Sequence, residues 1–231
     1  MIDIRLANQR GRGQFSWLSS KHSFSFADYH DTERMVFSSL RVINDDTVAA
    51  AAGFDTHGHR DMEIISYVTM GEMAHKDSKG NIQALPAGEF QLMSAGRGIY
   101  HSEFNVSQDS PLQFLQIWIE PNELGGEASY QQKSFTQTGP ITAIVTPSGE
   151  AGTLKVKQDA YLYRLSLAAQ QQVSYDIKPL RKVYIHLIQG QLTIGGAKLT
   201  AGDGAAITHL SQLELQAQGD KEAIGLLFDL A

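Results

Sequence analysis

The chain has 231 residues, a formal net charge of −6 and no cysteine. At about 150 residues per domain, that length lies between one large domain and two small ones, and it can bury a sizeable core without cross-links. The absence of cysteine excludes disulfides, thiol nucleophiles, Cys-ligated zinc and iron–sulfur clusters, and a pI near 5.7 argues against direct nucleic-acid binding, which needs a basic face for phosphates.

The N-terminal stretch MIDIRLANQRGRGQFSW has charges among its apolar residues and no long apolar core, so it does not read as a signal peptide. The most apolar short run, Val48–Phe54, is far below the ~20 residues of a membrane span. A soluble cytoplasmic protein without a membrane partner is expected. His22 and His30 flank the alternating aromatic residues Phe24, Phe26 and Tyr29, which read as core and domain-edge packing.

Short apolar runs bounded by Gly, Pro, Asn or Asp then follow one another, as in all-β proteins. Ser39–Ile43 is predicted as a strand ended by Asn44-Asp45-Asp46. Glu63–Met70, ended by Gly71, is a second; Phe90–Met93 and Leu112–Ile119 follow, the last apolar enough to be buried on both faces. The polar stretch Pro121–Gly139 reads as an interdomain connection, with a helix expected within Leu124–Phe135. Beyond it, strands are predicted over Leu154–Lys157, Ala160–Leu167, Val183–Ile188, Gln191–Ile194, Ala205–Ile207, Leu213–Gln216 and Ala223–Leu230.

The two halves share a pattern. A strand ending in Gly71, a hairpin and Leu85-Pro86-Ala87-Gly88-Glu89 are echoed by a strand ending in Gly190, a hairpin and Leu199-Thr200-Ala201-Gly202-Asp203. Repetition of a β unit suggests two similar β-sandwich domains, placed at residues 1–125 and 126–231. Their compositions differ. Residues 1–135 hold 11 Lys+Arg against 17 Asp+Glu and six of the eight histidines; residues 136–231 hold 8 of each charge.

His57-Gly58-His59 has one residue between two histidines, so on a strand both imidazoles share a face. His101-Ser102-Glu103 has the same spacing. Two facing strands with two ligands each would give a His₃Glu site with positions left for water or substrate. The Gly-rich segment Ser94-Ala95-Gly96-Arg97-Gly98 permits a sharp reshaping of the chain just before His101. Imidazole and carboxylate suit Fe(II), Cu, Ni, Mn, Co or Zn, and no soft ligand selects among them; Fe(II) is the ion expected first.

These residues carry a family resemblance. Gly53-(x3)-His57-x-His59-(x3)-Glu63-(x7)-Gly71 resembles the first cupin motif, and Gly80-(x5)-Pro86-x-Gly88 the opening of the second. More specifically, His22-Ser-Phe-Ser-Phe-Ala-Asp-Tyr29, Leu40-Arg-Val-Ile-Asn44, His57-Gly-His-Arg60, His75-Lys-Asp-Ser78 and Ala95-Gly-Arg-Gly-Ile-Tyr-His-Ser-Glu103 resemble the pirin family. The likeness is dense over about residues 15–120 and thinner beyond. It implies an all-β bicupin, two jelly-roll barrels, with one metal in the N-terminal barrel held by His57, His59, His101 and Glu103. The chain departs from the general cupin pattern in one extra residue before Gly71, and in Gln91 where a ligand histidine is usual. Glu63 shares strand parity with His57 and His59, but the resemblance favours Glu103 as the carboxylate ligand and leaves Glu63 a supporting role.

The resemblance further implies quercetin 2,3-dioxygenase activity on a flavonol-like aromatic and O₂, with Glu103 as the base for the flavonol's 3-hydroxyl. The alternative is a metal-containing, redox-sensing regulator acting through protein partners. A monomer is expected, with an apolar pocket lining from Phe54, Met93 and Phe104. Arg97 reads either as an anion-holding residue or as a surface residue; His75 reads either as a residue hydrogen-bonding near the site or, the favoured reading, as a surface or structural strand-end residue. His186 and His209 have no neighbouring ligand, so no metal site is expected in the second half.

Overall fold

A computed structural model of the chain describes residues 1–231. It contains 22 strands, three short 3₁₀ turns and no α-helix. No helix is therefore long and apolar enough to cross a membrane. The chain packs as two compact units: Gly11–Phe135 with Val156–Gln158, and Met1–Arg10 with Thr136–Lys155 and Asp159–Ala231. These differ from the expected division at 125/126. The first ten residues pack with the C-terminal half because Ile2–Arg5 pairs antiparallel with Gly204–Ile207, from Ile2↔Ile207 to Arg5↔Gly204.

The first unit has a seven-stranded sheet in the order Ser129–Ser134, Glu89–Ser94, Glu63–Met70, Leu112–Ile119, Leu40–Val48, Leu18–His22, Gly11–Gln14. Its second sheet has four strands, Gly53–His59, Ile99–Asn105, Glu72–Asp77 and Ile82–Pro86. Met73 and Leu85 from the small sheet pack on Leu18, Val48, Val68, Leu112 and Phe114 from the large one, which closes the two sheets into a sandwich. The second unit repeats the seven-plus-four layout. Ile2–Arg5, Gly204–Ile207, Lys182–Gln189, Ala223–Leu230, Ala160–Leu167, Ile141–Thr146 and Leu154–Lys155 make one sheet. Gln172–Asp176, Gln212–Ala217, Gln191–Ile194 and Ala197–Thr200 make the other. Each unit is a cupin barrel, so the chain is an all-β bicupin.

Two sequence expectations need correction. Residues 129–134 form an edge strand and not part of a helix, because Tyr130 and Gln132 alternate onto one side, where the Tyr130 hydroxyl bonds Gln91 at 3.1 Å and Gln132 at 2.7 Å. Asn44-Asp45-Asp46 does not end its strand. The strand runs Leu40–Val48, and Asn44 and Asp46 are buried within it.

The repeated glycines have a common cause. Gly71 (φ +84°) and Gly190 (φ +79°) each turn the chain at the end of a central strand, against the backbone of the neighbouring strand's first turn. A Cβ on Gly190 would press into the Glu222 carbonyl oxygen and lie 3.0 Å from the Ala223 Cα. Gly80 has the same backbone sign (φ +92°) but open space around it. Gly80→Ala should therefore cost only the left-handed backbone term, about 1 kcal/mol, whereas Gly190→Ala should cost about 3 kcal/mol or more. Urea unfolding of both variants checks this, and equal losses would contradict the steric assignment.

Candidate metal centre

The strands Gly53–His59 and Ile99–Asn105 lie side by side, with His101↔His57 and Ile99↔His59 in register. Strand alternation puts His57 and His59 on one face, and the pairing adds His101 to it. The ring centroids of His57, His59 and His101 are 4.4 to 4.9 Å apart. Ligand atoms of the three rings all lie within 4.8 Å of one another. A bulge between His101 and Glu103 then shifts the register, so Glu103 lies opposite Phe54. The bulge depends on Gly53. A Cβ there would collide with the Glu103 carbonyl oxygen and sit 2.6 Å from the Phe104 Cα.

The nitrogens are prepared as lone-pair donors. His57 Nδ1 donates to the Asp55 carbonyl at 2.8 Å, leaving Nε2 as the basic nitrogen. His59 Nε2 and both His101 nitrogens are buried without a hydrogen-bond partner in the protein. Burial, reinforced by the neighbouring histidines, lowers His59 and His101 to about 3, so both rings are neutral at physiological pH. Neutral imidazoles with orphaned buried nitrogens, beside a carboxylate, fit a divalent transition metal.

Glu103 is 1% exposed and accepts from the Ser66 hydroxyl and the Gln116 amide, both at 3.2 Å. Burial raises its carboxyl above the usual range, opposed by His75, His57 and the two hydrogen bonds. Its ligand atoms group with His101 and with His75, again within 4.8 Å. His75 is thus not a surface residue. It lies inside the strand Glu72–Asp77, 1% exposed, with Nε2 3.3 Å from Asp77 Oδ2. Its fate was hidden because a single histidine on a strand carries no spacing signal.

Glu63 stands apart. It begins a strand of the large sheet, so its parity with His57 and His59 does not survive the turn at residues 60–62. Its carboxylate accepts from the Ser94 hydroxyl at 2.8 Å and the Lys157 backbone N–H at 3.2 Å. Arg97 is a surface residue, ion-paired with exposed Glu127.

A cavity of about 960 Å³ opens on His57 and His59. Phe54 and Phe104 line it as expected, but Met93 is packed into a core cluster with Ile64, Ala95 and Ile99. Phe26 and Tyr29, read as packing residues, also line the cavity, as do His22, Trp17 and Trp118. Trp118 meets His59 edge-on at 5.0 Å and Phe26 at 5.4 Å. The polar lining residues Ser20, Asn44, Asp46 and Gln116 also escaped the sequence reading. Only alternation along an already known strand Leu40–Val48 would have marked Asn44 and Asp46 as inward.

The second unit has no such centre. By sheet position, the ligand strands correspond to Gln172–Asp176 and Gln212–Ala217. There Val173↔Leu215 and Tyr175↔Leu213 occupy the pairing and pack into an apolar core.

Burial pushes the Asp46 carboxyl up to about 7, with the Ser20 hydrogen bond opposing and the charges of Asp45 and Glu103 adding. In the unfolded chain the group ionises near 3.8. Between these values the folded state holds a proton that the unfolded state has released, so this group lowers stability as pH rises from about 4 to 7. In chelator-treated protein, Asp46→Asn should flatten that fall and be more stable than wild type at pH 7 by on the order of 1–3 kcal/mol. Parallel curves of unfolding free energy against pH would contradict the burial argument.

Residues 4–119 match the pirin family, and residues 143–230 match a family described as the quercetinase C-terminal cupin domain. A protein of Escherichia coli K12 named quercetin 2,3-dioxygenase is 46% identical over 230 residues, covering 100% of this chain and 99% of that one. A pirin-like protein of Caulobacter vibrioides is 37% identical, over 97% of this chain and 98% of its own. The crystal structure of the bacterial pirin YhhW from Escherichia coli in complex with nickel(II) superposes with a TM-score of 0.96, at 46% identity, covering 100% and 99% of the two chains. With its ligand-type residues on the cupin strands and both halves matched, the chain belongs to the pirin family.

Proposed function

We propose that His57, His59, His101 and Glu103 hold one divalent transition-metal ion, and that the chain is a quercetin 2,3-dioxygenase-type enzyme acting on flavonol-like aromatics with O₂. The observation that carries this reading is the cluster of three imidazoles, those of His59 and His101 held neutral by burial, with the buried Glu103 carboxylate next to His101, at the end of a cavity walled by aromatic rings. The names of the relatives support the reaction class. The nickel-containing relative supports a divalent ion, while the donor set itself does not distinguish iron from nickel or copper.

A bound metal would supply Lewis acidity toward an ionised hydroxyl and open positions for a second ligand. The chain's own residues do the rest. Phe54, Phe26 and Trp118 offer flat apolar faces that align a planar ring system and keep water out. Glu103 takes the proton of the flavonol's 3-hydroxyl. A carboxyl raised by burial is a stronger base than an exposed one, so the transfer is less uphill. Ser66 and Gln116 fix the carboxylate's two oxygens and hold it in one orientation. In the overall reaction both atoms of O₂ enter the product ester, the central ring opens, and carbon monoxide leaves.

Metal-loaded protein should consume O₂ with quercetin. His59→Ala and Glu103→Ala should each reduce the rate by at least ~100-fold, His59→Ala with loss of metal. Glu63→Ala should keep its metal, because that carboxylate is committed to Ser94 and Lys157. Metal analysis with an oxygen electrode reads all three. Metal-replete protein without quercetin-dependent O₂ uptake would sink the reaction; an emptied site in Glu63→Ala would sink the ligand assignment.

A further inference from the structure

The cavity has one wall of which the proposed chemistry uses only Gln116. Ser20, His22, Asn44, Asp46 and Gln116 all line it, from three neighbouring strands of the large sheet. They form a contiguous patch, because Ser20↔Asp46, His22↔Asn44 and Asn44↔Gln116 are register pairs. The patch is partly wired. His22 Nε2 is 2.8 Å from the Ser20 hydroxyl, Ser20 hydrogen-bonds Asp46, and Gln116 reaches Glu103. Two acceptors remain bare. Asn44 Oδ1 and Asp46 Oδ1 are buried, on residues only 2% exposed, and have no hydrogen-bond partner in the protein.

The fold does not demand this polarity. In the second unit the strand at the same sheet position, Ala160–Leu167, turns Tyr163, Leu165 and Leu167 into the apolar core. A buried acceptor without a donor costs about 1–3 kcal/mol, so two side by side in a cavity wall point to a ligand that brings donors. The aromatic residues around them, Trp17, Phe26, Phe54 and Trp118, suit a flat ring. Phenols are flat rings that carry such donors at their edge.

We propose that Ser20, Asn44 and Asp46 form a hydroxyl-recognition subsite, in which the bare oxygens of Asn44 and Asp46 accept hydrogen bonds from phenolic hydroxyls on the ring of the substrate remote from its metal-directed hydroxyl. This inference rests on the flavonol reading above. It makes these residues specificity determinants: they select for hydroxylation of the distal ring and take no part in the proton transfer at Glu103.

Both tryptophans of the chain line the cavity, so quenching of their fluorescence reports binding without turnover. The test uses Ni(II)-loaded protein under anaerobic conditions with two probes: quercetin, and 3-hydroxyflavone, which shares the chelating group but has no other hydroxyl. Wild type should prefer quercetin by at least ~10-fold. Asp46→Leu should bring that ratio to within about threefold of unity while leaving the Kd of 3-hydroxyflavone within about threefold of wild type. Asp46→Asn, which keeps the volume and turns one acceptor into a donor, should lower the ratio at least ~3-fold, and it decides the matter if the leucine variant does not fold. An unchanged ratio overturns the subsite. Equal weakening of both probes also overturns it, by making Asp46 merely structural. Binding of neither probe to wild type overturns the flavonol reading itself.

Discussion

Three imidazoles crowd within about 5 Å of one another in the first barrel, where burial favours the uncharged form of His59 and His101. Burial and mutual repulsion keep His59 and His101 in that form, and the Asp55 carbonyl sets the tautomer of His57. His59 Nε2 and both His101 nitrogens have no protein partner. Much else follows from this arrangement. Strand alternation after His101 turns Glu103 inward, the bulge on the facing strand sets it opposite Phe54, Gly53 gives the close approach its room, and Ser66 with Gln116 satisfies the carboxylate. On the proposed assignment, a bound ion would offset these costs.

The second barrel shows what the same layout does without that demand. Its seven-plus-four sheets are in the corresponding order, and its strand ends turn on Gly190 and Gly202 as the first barrel's do on Gly71 and Gly88. Yet the positions facing its interior hold Val173, Leu213, Leu215 and Leu165, and the result is a closed apolar core. One architecture thus lines a cavity with polar and ligand-type side chains in one half and packs an apolar cluster in the other. The difference lies in side chains on four or five strands. Backbone topology sets where a site can form, and residue polarity decides whether it does.

Much of this was legible in the sequence, for physical reasons that also explain the failures. The central strands Glu63–Met70, Leu112–Ile119 and Ala223–Leu230 match the sequence expectation to the residue, because strands buried on both faces are nearly continuous apolar runs, and Ala160–Leu167 matches it through alternation. The strand Gly53–His59 (GFDTHGH) has no apolar pattern, since its inward residues are ligand-type histidines; only the His-x-His spacing betrayed it. Asn44-Asp45-Asp46 was misread as a turn because buried Asn and Asp are rare outside functional sites. Pairing Met1–Arg10 with the far half is a contact over some 200 residues, which no local pattern can announce. The sequence was least readable where the interior is polar, and those are the residues around the cavity.

The central claim is that one barrel holds a single ion on His57, His59, His101 and Glu103. Its most direct test is anomalous X-ray scattering, collected at the absorption edge of the metal found in the purified protein. The account expects one peak per chain, bonded to those four side chains, with Glu63 on Ser94 and Lys157 and no peak in the second barrel. A peak bonded to Glu63, or an empty His57–His59–His101 cluster in protein that carries stoichiometric metal elsewhere, would contradict it.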